Sequence, residues 1–383
     1  MADDHKLTKL AAIDDPLDPS DLKDEVGLCL SGGGFKAAMY HLGALARINE
    51  LGALRKIDRI SSVSGGSIAS GTLAAKWKLL TFDAKGVATN FRTEVFDPLV
   101  KFCREAEVDV AAWFEGVLAP SKTAADQVAE SYAKWLVGKT TLFSLPAEKK
   151  GVCPRFVFNS TNVQLNSLVR FSNVGVRDWR VGEWRDTKLT LARVMAASSA
   201  FPPVLSPMVM TPPADLKPYD DGDRGYPPYT ERLELADGGI YDNLGIETVW
   251  KRCNTILVSN AGDPFKEMGD PPNDWIQQLR RTVSMVHRQA ENNRMRLLIA
   301  LAKMDLRTVA LWNLRGSVPA PGLALPKKEA DLARNVDVRL RRLREDEATA
   351  LLRHGYSMAN ASIKAFWLPD EPVSAAFPAY LKG

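Results

Sequence analysis

Cysteine and histidine are both scarce here, four of each in 383 residues. Cys29, Cys103, Cys153 and Cys253 lie far apart with no CxxC pair. They read as reduced, mostly buried thiols of a cytosolic protein rather than a disulfide framework. With no HExxH and no His/Cys cluster, nothing suggests zinc. No apolar run approaches the ~18–20 residues of a membrane-spanning helix. The N-terminus "MADDHKLTKL" carries acidic residues at once and lacks the apolar stretch of a secretory signal. Charge of one sign is nowhere massed: 50 Lys and Arg stand among 46 Asp and Glu, a net charge of +4. That balance gives weak support for an anionic partner such as a membrane surface, and little for nucleic acid. The expectation is a cytoplasmic protein whose membrane contact, if any, is peripheral.

What is present is an ordinary globular composition, 45% hydrophobic and 25% charged, long enough for one large core or two smaller domains. Residues 1–24 are polar and hold Pro16 and Pro19, the pattern of an extension. From there the text alternates: a strand at 26–30, a helix over 36–51 with Gly52 beyond its end, a strand at 57–63, then small residues at helical spacing. This β-α-β-α opening predicts a parallel sheet with helices on its faces. Residues 80–150 are mainly helical and break the alternation, as an insertion that covers or borders a site would. Paired strands are expected at 153–162 and 166–172, and a buried helix over 189–201 stopped by Pro202 and Pro203. A Pro-, Asp- and Gly-rich loop follows at 211–229, then "LELADGG", then a late strand at 254–262. Two amphipathic helices are read from "DWIQQLRRTVSMVHRQAENNRMRLLIALAK" and "NVDVRLRRLREDEATALLRHGYSMANASIKAFW". There is no internal repeat and no low-complexity segment.

Two stretches carry chemistry. "SSVSGGS" puts Ser64 on a sharp strand-to-helix turn with small neighbours, the steric requirement of a nucleophile elbow, although Ser62 stands where the first glycine is usual. Upstream, Gly32, Gly33 and Gly34 end a strand and start a helix, where bare N–H groups can meet an oxyanion. Lys36 would add positive charge nearby. The same glycines fit a dinucleotide fingerprint, Gly32-x-Gly34-x-x-Ala37, and an NAD(P)-dependent oxidoreductase is the rival reading. That reading wants an acidic residue at the end of the second strand, which instead ends in Ser61, Ser62, Val63 and Ser64. A Walker loop fails for want of Gly-Lys-Ser/Thr.

A serine nucleophile needs a base. His5 lies in the extension, His41 inside the helix after the glycines, and His287 and His354 in Arg-rich helices without a loop to present them. The histidine position is therefore read as empty. "ADGGIYDNLG" offers carboxylates instead: Asp237 before two glycines, with Asp242 as competitor. An ordinary Asp titrates at ~3.9, so Asp237 would need burial to become a useful base at neutral pH.

In this order, "SGGGFKAAMYHLGAL", "SSVSGGS", "ASSAFPPVLSP" and "ADGGIYDNLG" resemble the patatin-like phospholipase family, related to the cytosolic phospholipases A2. The motifs run from about residue 26 to 246, and "VRLRRLREDEATALLRHGYSMANASI" is similar to that family's C-terminal helices. The resemblance implies a catalytic domain over 25–365 with a tail at 366–383, in a three-layer α/β/α fold around a mainly parallel sheet. It implies a Ser64–Asp237 dyad, an oxyanion hole at Gly32, Gly33 and Gly34, and hydrolysis of a phospholipid or other acyl-ester lipid. No metal or organic cofactor is required. A patatin-like binding protein without activity is a further alternative. "DDGD" at 220–223 reads as a solvated acidic loop rather than a calcium site. The helix from Trp275 is expected to pack its apolar face on the core, the alternative being an anionic membrane. Trp113 and Phe114 are likewise assigned to core packing, with lipid contact as the alternative.

Overall fold

The computed structural model describes residues 22–106, 108, 124–203, 205–220, 222–262, 267–319 and 322–381. His5, Trp113, Phe114 and Asp221 lie outside the described residues. Five parallel strands form the centre of a ten-stranded sheet: β1 (Lys23–Leu30), β2 (Arg59–Ser62), β3 (Arg155–Asn162), β9 (Cys253–Asn260) and β10 (Thr308–Asn313), in the order β10-β9-β1-β2-β3. Beyond β3 the sheet turns antiparallel through β4 (Ser167–Ser172), β5 (Gly175–Asp178) and β6 (Gly182–Trp184). β8 (Leu233–Asp237) also pairs antiparallel with the last residues of β3, with β7 (Met208–Met210) on its other side.

The alternation of side chains along each strand divides the core into two faces. Leu28, Leu30, Leu257 and Trp312 point to one cluster, under α1 (Gly34–Glu50), α2 (Gly65–Lys76) and α10 (Glu345–Phe366). Cys29, Ile256 and Val258 point to the other, where they meet Val249 of α7 (Glu247–Trp250) and Leu298 and Leu301 of α8 (Trp275–Lys303). The result is the expected α/β/α layering. All four cysteines are free and buried.

α1 and α10 cross at backbone contact. A Cβ on Gly43 would lie 2.0 Å from Leu352 O, and one on Gly355 only 1.9 Å from Tyr40 O. Glycine is needed there because any side chain would push the helices apart.

Within 80–150, α3 (Asp97–Glu105) and α4 (Ala124–Tyr132) join the main core: Phe102 stacks edge-on with Phe35 of α1 and with Tyr132. The last helix starts later than its sequence pattern predicts. α9 (Lys327–Asn335) ends before residues 336–344, which run irregularly with Val336 and Leu343 buried, and α10 begins where Glu347 closes a capping box with Arg344. Among the described residues no helix is long and apolar enough to cross a membrane.

Candidate active site

Every parallel strand of the centre delivers its C-terminal end to one edge, and both sequence-predicted motifs lie there. β1 ends at Leu30 and the chain turns through Gly33 (φ 140°) and Gly34 (φ 60°) into α1. β2 ends at Ser62, and Ser64 adopts φ 51°, ψ −118° before α2 begins. A non-glycine residue in that region carries strain of ~1–3 kcal/mol, held by the surrounding packing. The packing is visible: a Cβ on Gly65 would lie 2.1 Å from Gly34 O, and one on Gly66 2.2 Å from Leu30 O. The serine turn is thus pressed against the glycine turn, and a Cβ on Gly32 would lie 3.2 Å from that of Ser64.

Asp237 ends β8 and is buried, at 2% exposure. Burial pushes its carboxyl up to about 6, against the lowering effect of hydrogen bonds from the Ser64 hydroxyl and the Gly239 N–H, the latter at 2.7 Å. Thr161 Oγ1 donates to Asp237 O at 2.9 Å, fixing the strand end to β3. Of the two carboxylates weighed from sequence, Asp237 is the one joined to Ser64. Asp242 accepts from the N–H groups of Leu244 and Glu247 and faces Arg294 Nε at 3.5 Å, so it organises the turn into α7.

The segment after α5 (Leu191–Ser198) ties the two motifs together. Ser198 O accepts from the N–H of Ser64 and of Gly238, both at 3.2 Å, and Ala200 O accepts from Asp237 N at 2.8 Å. Ser198 Oγ also accepts from Ser64 N and donates to Asn159 O at 2.6 Å. Sequence reading missed this role of "ASSAFPP", because the partners are 134 residues away. Ser62 earns its place by the same logic. Its hydroxyl donates to Val157 O and accepts from Ser67 and Ser70, linking β2, β3 and α2 where a glycine would link nothing.

Two expectations for the glycine turn need correction. The Gly32 N–H is committed to Asn243 O at 3.0 Å, so Gly32 has no N–H to offer an oxyanion. The N–H groups of Gly33, Gly34 and Gly65 have no acceptor among the described residues. Lys36 brings no charge to the turn either: it is fully buried and its ammonium donates to Arg334 O in the last turn of α9, at the negative end of that helix dipole.

The rival dinucleotide reading meets an obstacle at the same place. The Phe35 N–H at the start of α1 donates to Arg339 O, and Arg339 backbone covers Gly34 so closely that a Cβ there would meet it at 2.5 Å. The Phe35 N–H is therefore taken and cannot hold a pyrophosphate at the helix N-terminus.

His41 is a packed core residue, held between Ser259 Oγ and Ser31 O, with burial lowering its pKa to about 4. His354 is similar, on Leu314 O. His287 is different from its sequence reading. α8 passes over the strand ends and His287 Nε2 lies 2.9 Å from Gly239 O, so this histidine donates to the turn that follows Asp237. Asp223 of the acidic loop forms a two-pronged pair with Arg180, which is the geometry of an ion pair rather than of a cation site. Among the described residues no group of three or more His, Cys, Asp or Glu is placed to hold a metal.

A family model described as patatin-like phospholipase matches residues 28–250, which hold the glycine turn, the serine turn and Asp237. Human GIVD cytosolic phospholipase A2 is similar in structure, with a TM-score of 0.51 at 13% identity over 94% of this chain. The same human enzyme in complex with methyl gamma-linolenyl fluorophosphonate and terbium chloride gives 0.50 at 15% identity. In both cases 61% of the human chain is covered, so this chain matches under two thirds of its length. No curated protein matches this chain. With more than half of its residues under the family model, and with the fold shared, the chain belongs to the patatin-like phospholipase family.

Proposed function

We propose that this protein is a serine lipid acyl hydrolase of the phospholipase A type, with Ser64 as nucleophile and Asp237 as its general base. The observation that carries the reading is the pair itself: a serine in a strained turn whose side chain interacts with a buried carboxyl raised to about 6. At neutral pH such a carboxyl is mostly ionised, yet basic enough to accept a proton. Ser64 Oγ attacks the ester carbonyl as its proton passes to Asp237. The oxyanion is received by the uncommitted N–H groups of Gly33, Gly34 and Gly65, three donors rather than the run from Gly32. Collapse expels the alcohol, which takes the proton from Asp237, and leaves an acyl-enzyme on Ser64. Water then attacks, Asp237 accepts its proton, and the fatty acid leaves as Ser64 is reprotonated. A glycerophospholipid is the substrate class that family membership and the human phospholipase neighbour favour. Each oxyanion donor in sites of this kind is worth ~3–4 kcal/mol of barrier.

Turnover of p-nitrophenyl esters of graded acyl length tests this. The wild type is expected to release p-nitrophenol, and folded Ser64→Ala and Asp237→Asn to lose on the order of 10³-fold or more in kcat. Activity surviving in Ser64→Ala would sink the dyad. A folded wild type inert towards every ester, on vesicles as well as in solution, would favour a patatin-like binding protein.

A further inference from the structure

α8 was expected to bury its apolar face on the core, and only its second half does so. Leu298 and Leu301 are buried over β9 and β10. In the first half Trp275, Leu279, Val283 and Val286 are 75%, 58%, 57% and 65% exposed. Their spacing of four, four and three residues makes one stripe along the helix. These side chains are exposed rather than packed on the sheet.

Its position is informative. The residue after Val286 is His287, which donates to Gly239 O beside Asp237. Ile240, which follows Gly239, is exposed, as is Phe201, next to the Ala200 carbonyl that holds Asp237. Exposed apolar side chains therefore border the dyad from α8, from the turn after β8 and from the segment after α5. The charge on α8 has one sign outward. It holds five arginines and a lysine against one carboxylate, Glu291, which is buried and bonded to Asn260 and Arg288. Arg280 is exposed within the stripe's own turns. The carboxylate nearest the helix start, Asp274, is occupied as its N-cap, accepting from Gln277 N.

We infer that the first half of α8 is the surface on which this protein docks to an anionic lipid bilayer, with its apolar stripe in the acyl boundary and Arg280 at the headgroups. An interfacial helix has this makeup: Trp and aliphatic residues on one face, arginine alongside, and no exposed carboxylate within it. An exposed apolar run of this extent on a protein surface marks an interaction site. The choice of a bilayer over a protein partner rests on the proposed reading of the site as a lipid hydrolase, because the stripe ends at Val286, next to the histidine that reaches the turn beside Asp237. Docked in this way, the protein would take its substrate directly from the bilayer.

The test uses the full chain carrying Ser64→Ala, so that lipid is not consumed. Co-sedimentation is measured with vesicles of phosphatidylcholine alone and of phosphatidylcholine with phosphatidylserine. Binding to the phosphatidylserine vesicles is expected, weakened by salt, and reduced about tenfold or more by Val283→Asp with Val286→Asp, both exposed positions whose replacement should leave Tm unchanged. Equal binding by that folded double variant would overturn the inference. So would absence of binding, or concentration-dependent self-association without lipid that the same substitutions abolish, which would assign the face to a second copy of the chain. The two readings separate cleanly. Ester turnover without vesicle binding removes the docking surface and keeps the hydrolase, whereas vesicle binding with no turnover of any ester keeps the surface and removes the hydrolase.

Discussion

Asp237 is where residue-level physics and function meet. Its folded pKa of about 6 stands above the 3.8 of a free carboxyl, with burial as the main cause. In the proposed mechanism the ionised form is the base, so kcat/KM is expected to fall tenfold per pH unit below about 6 and to level off above it. For stability the sign is opposite. Between pH ~4 and ~6 the folded state holds the proton more tightly than the unfolded one, so this group's contribution falls as pH rises through that window and stays low above it. The ionised carboxyl then costs the fold about 3 kcal/mol at neutral pH. Asp237→Asn should remove much of that cost while keeping the Gly239 N–H bond. Its urea midpoint is expected above wild type at pH 7.5, with the gap closing at pH 4. A variant less stable than wild type at both values would contradict the buried charge. Ser64 could be chosen from its turn, and Asp237 was one of two carboxylates offered, because tight turns leave a mark in small neighbours. The donors around them could not. Gly32 looked equivalent to Gly33 and Gly34 until Asn243 O was seen to take its N–H.

At the scale of elements, α1 carries the glycine turn at its start, and its position depends on α10. The two helices meet at Gly43 and Gly355 with no space for a methyl group. Gly355→Ala would ordinarily favour a helix by up to ~1 kcal/mol. Here it is expected to destabilise by about 1–3 kcal/mol in urea denaturation, through overpacking against Tyr40 O, and to lower ester turnover as α1 shifts. A stabilised variant would mean the crossing can relax freely. Most elements were legible, since period-2 and period-3.6 patterns report the local state directly. Two readings failed for a shared reason. The sequence around 336–344 has helical periodicity, but the segment instead holds Phe35 N from Arg339 O, a contact with a partner over 300 residues away. α8 has an amphipathic face, and periodicity reveals that such a face exists without revealing what, if anything, covers it.

At the scale of the molecule, five parallel strands bring the ends of β1 and β2 to one edge, and β8, antiparallel on β3, brings Asp237 there. Ser198 and Ala200 fasten Ser64 and Asp237 to a single segment. The fold class was legible from the β-α-β-α opening and from four motifs in order. The residues alone offered Asp237 as the base for Ser64 with Asp242 in competition, and the family resemblance favoured Asp237, because no local pattern encodes which carboxylate reaches a given serine across the sheet. The central claim is that Ser64 is the nucleophile, activated by Asp237. The most direct measurement is reaction with an alkyl fluorophosphonate followed by peptide mass spectrometry. A single adduct, formed with loss of fluoride, is predicted on the peptide containing Ser64, absent from Ser64→Ala and strongly slowed in Asp237→Asn. An adduct on another serine that tracks the loss of ester turnover, or labelling of Ser64 as fast in Asp237→Asn as in wild type, would contradict the account.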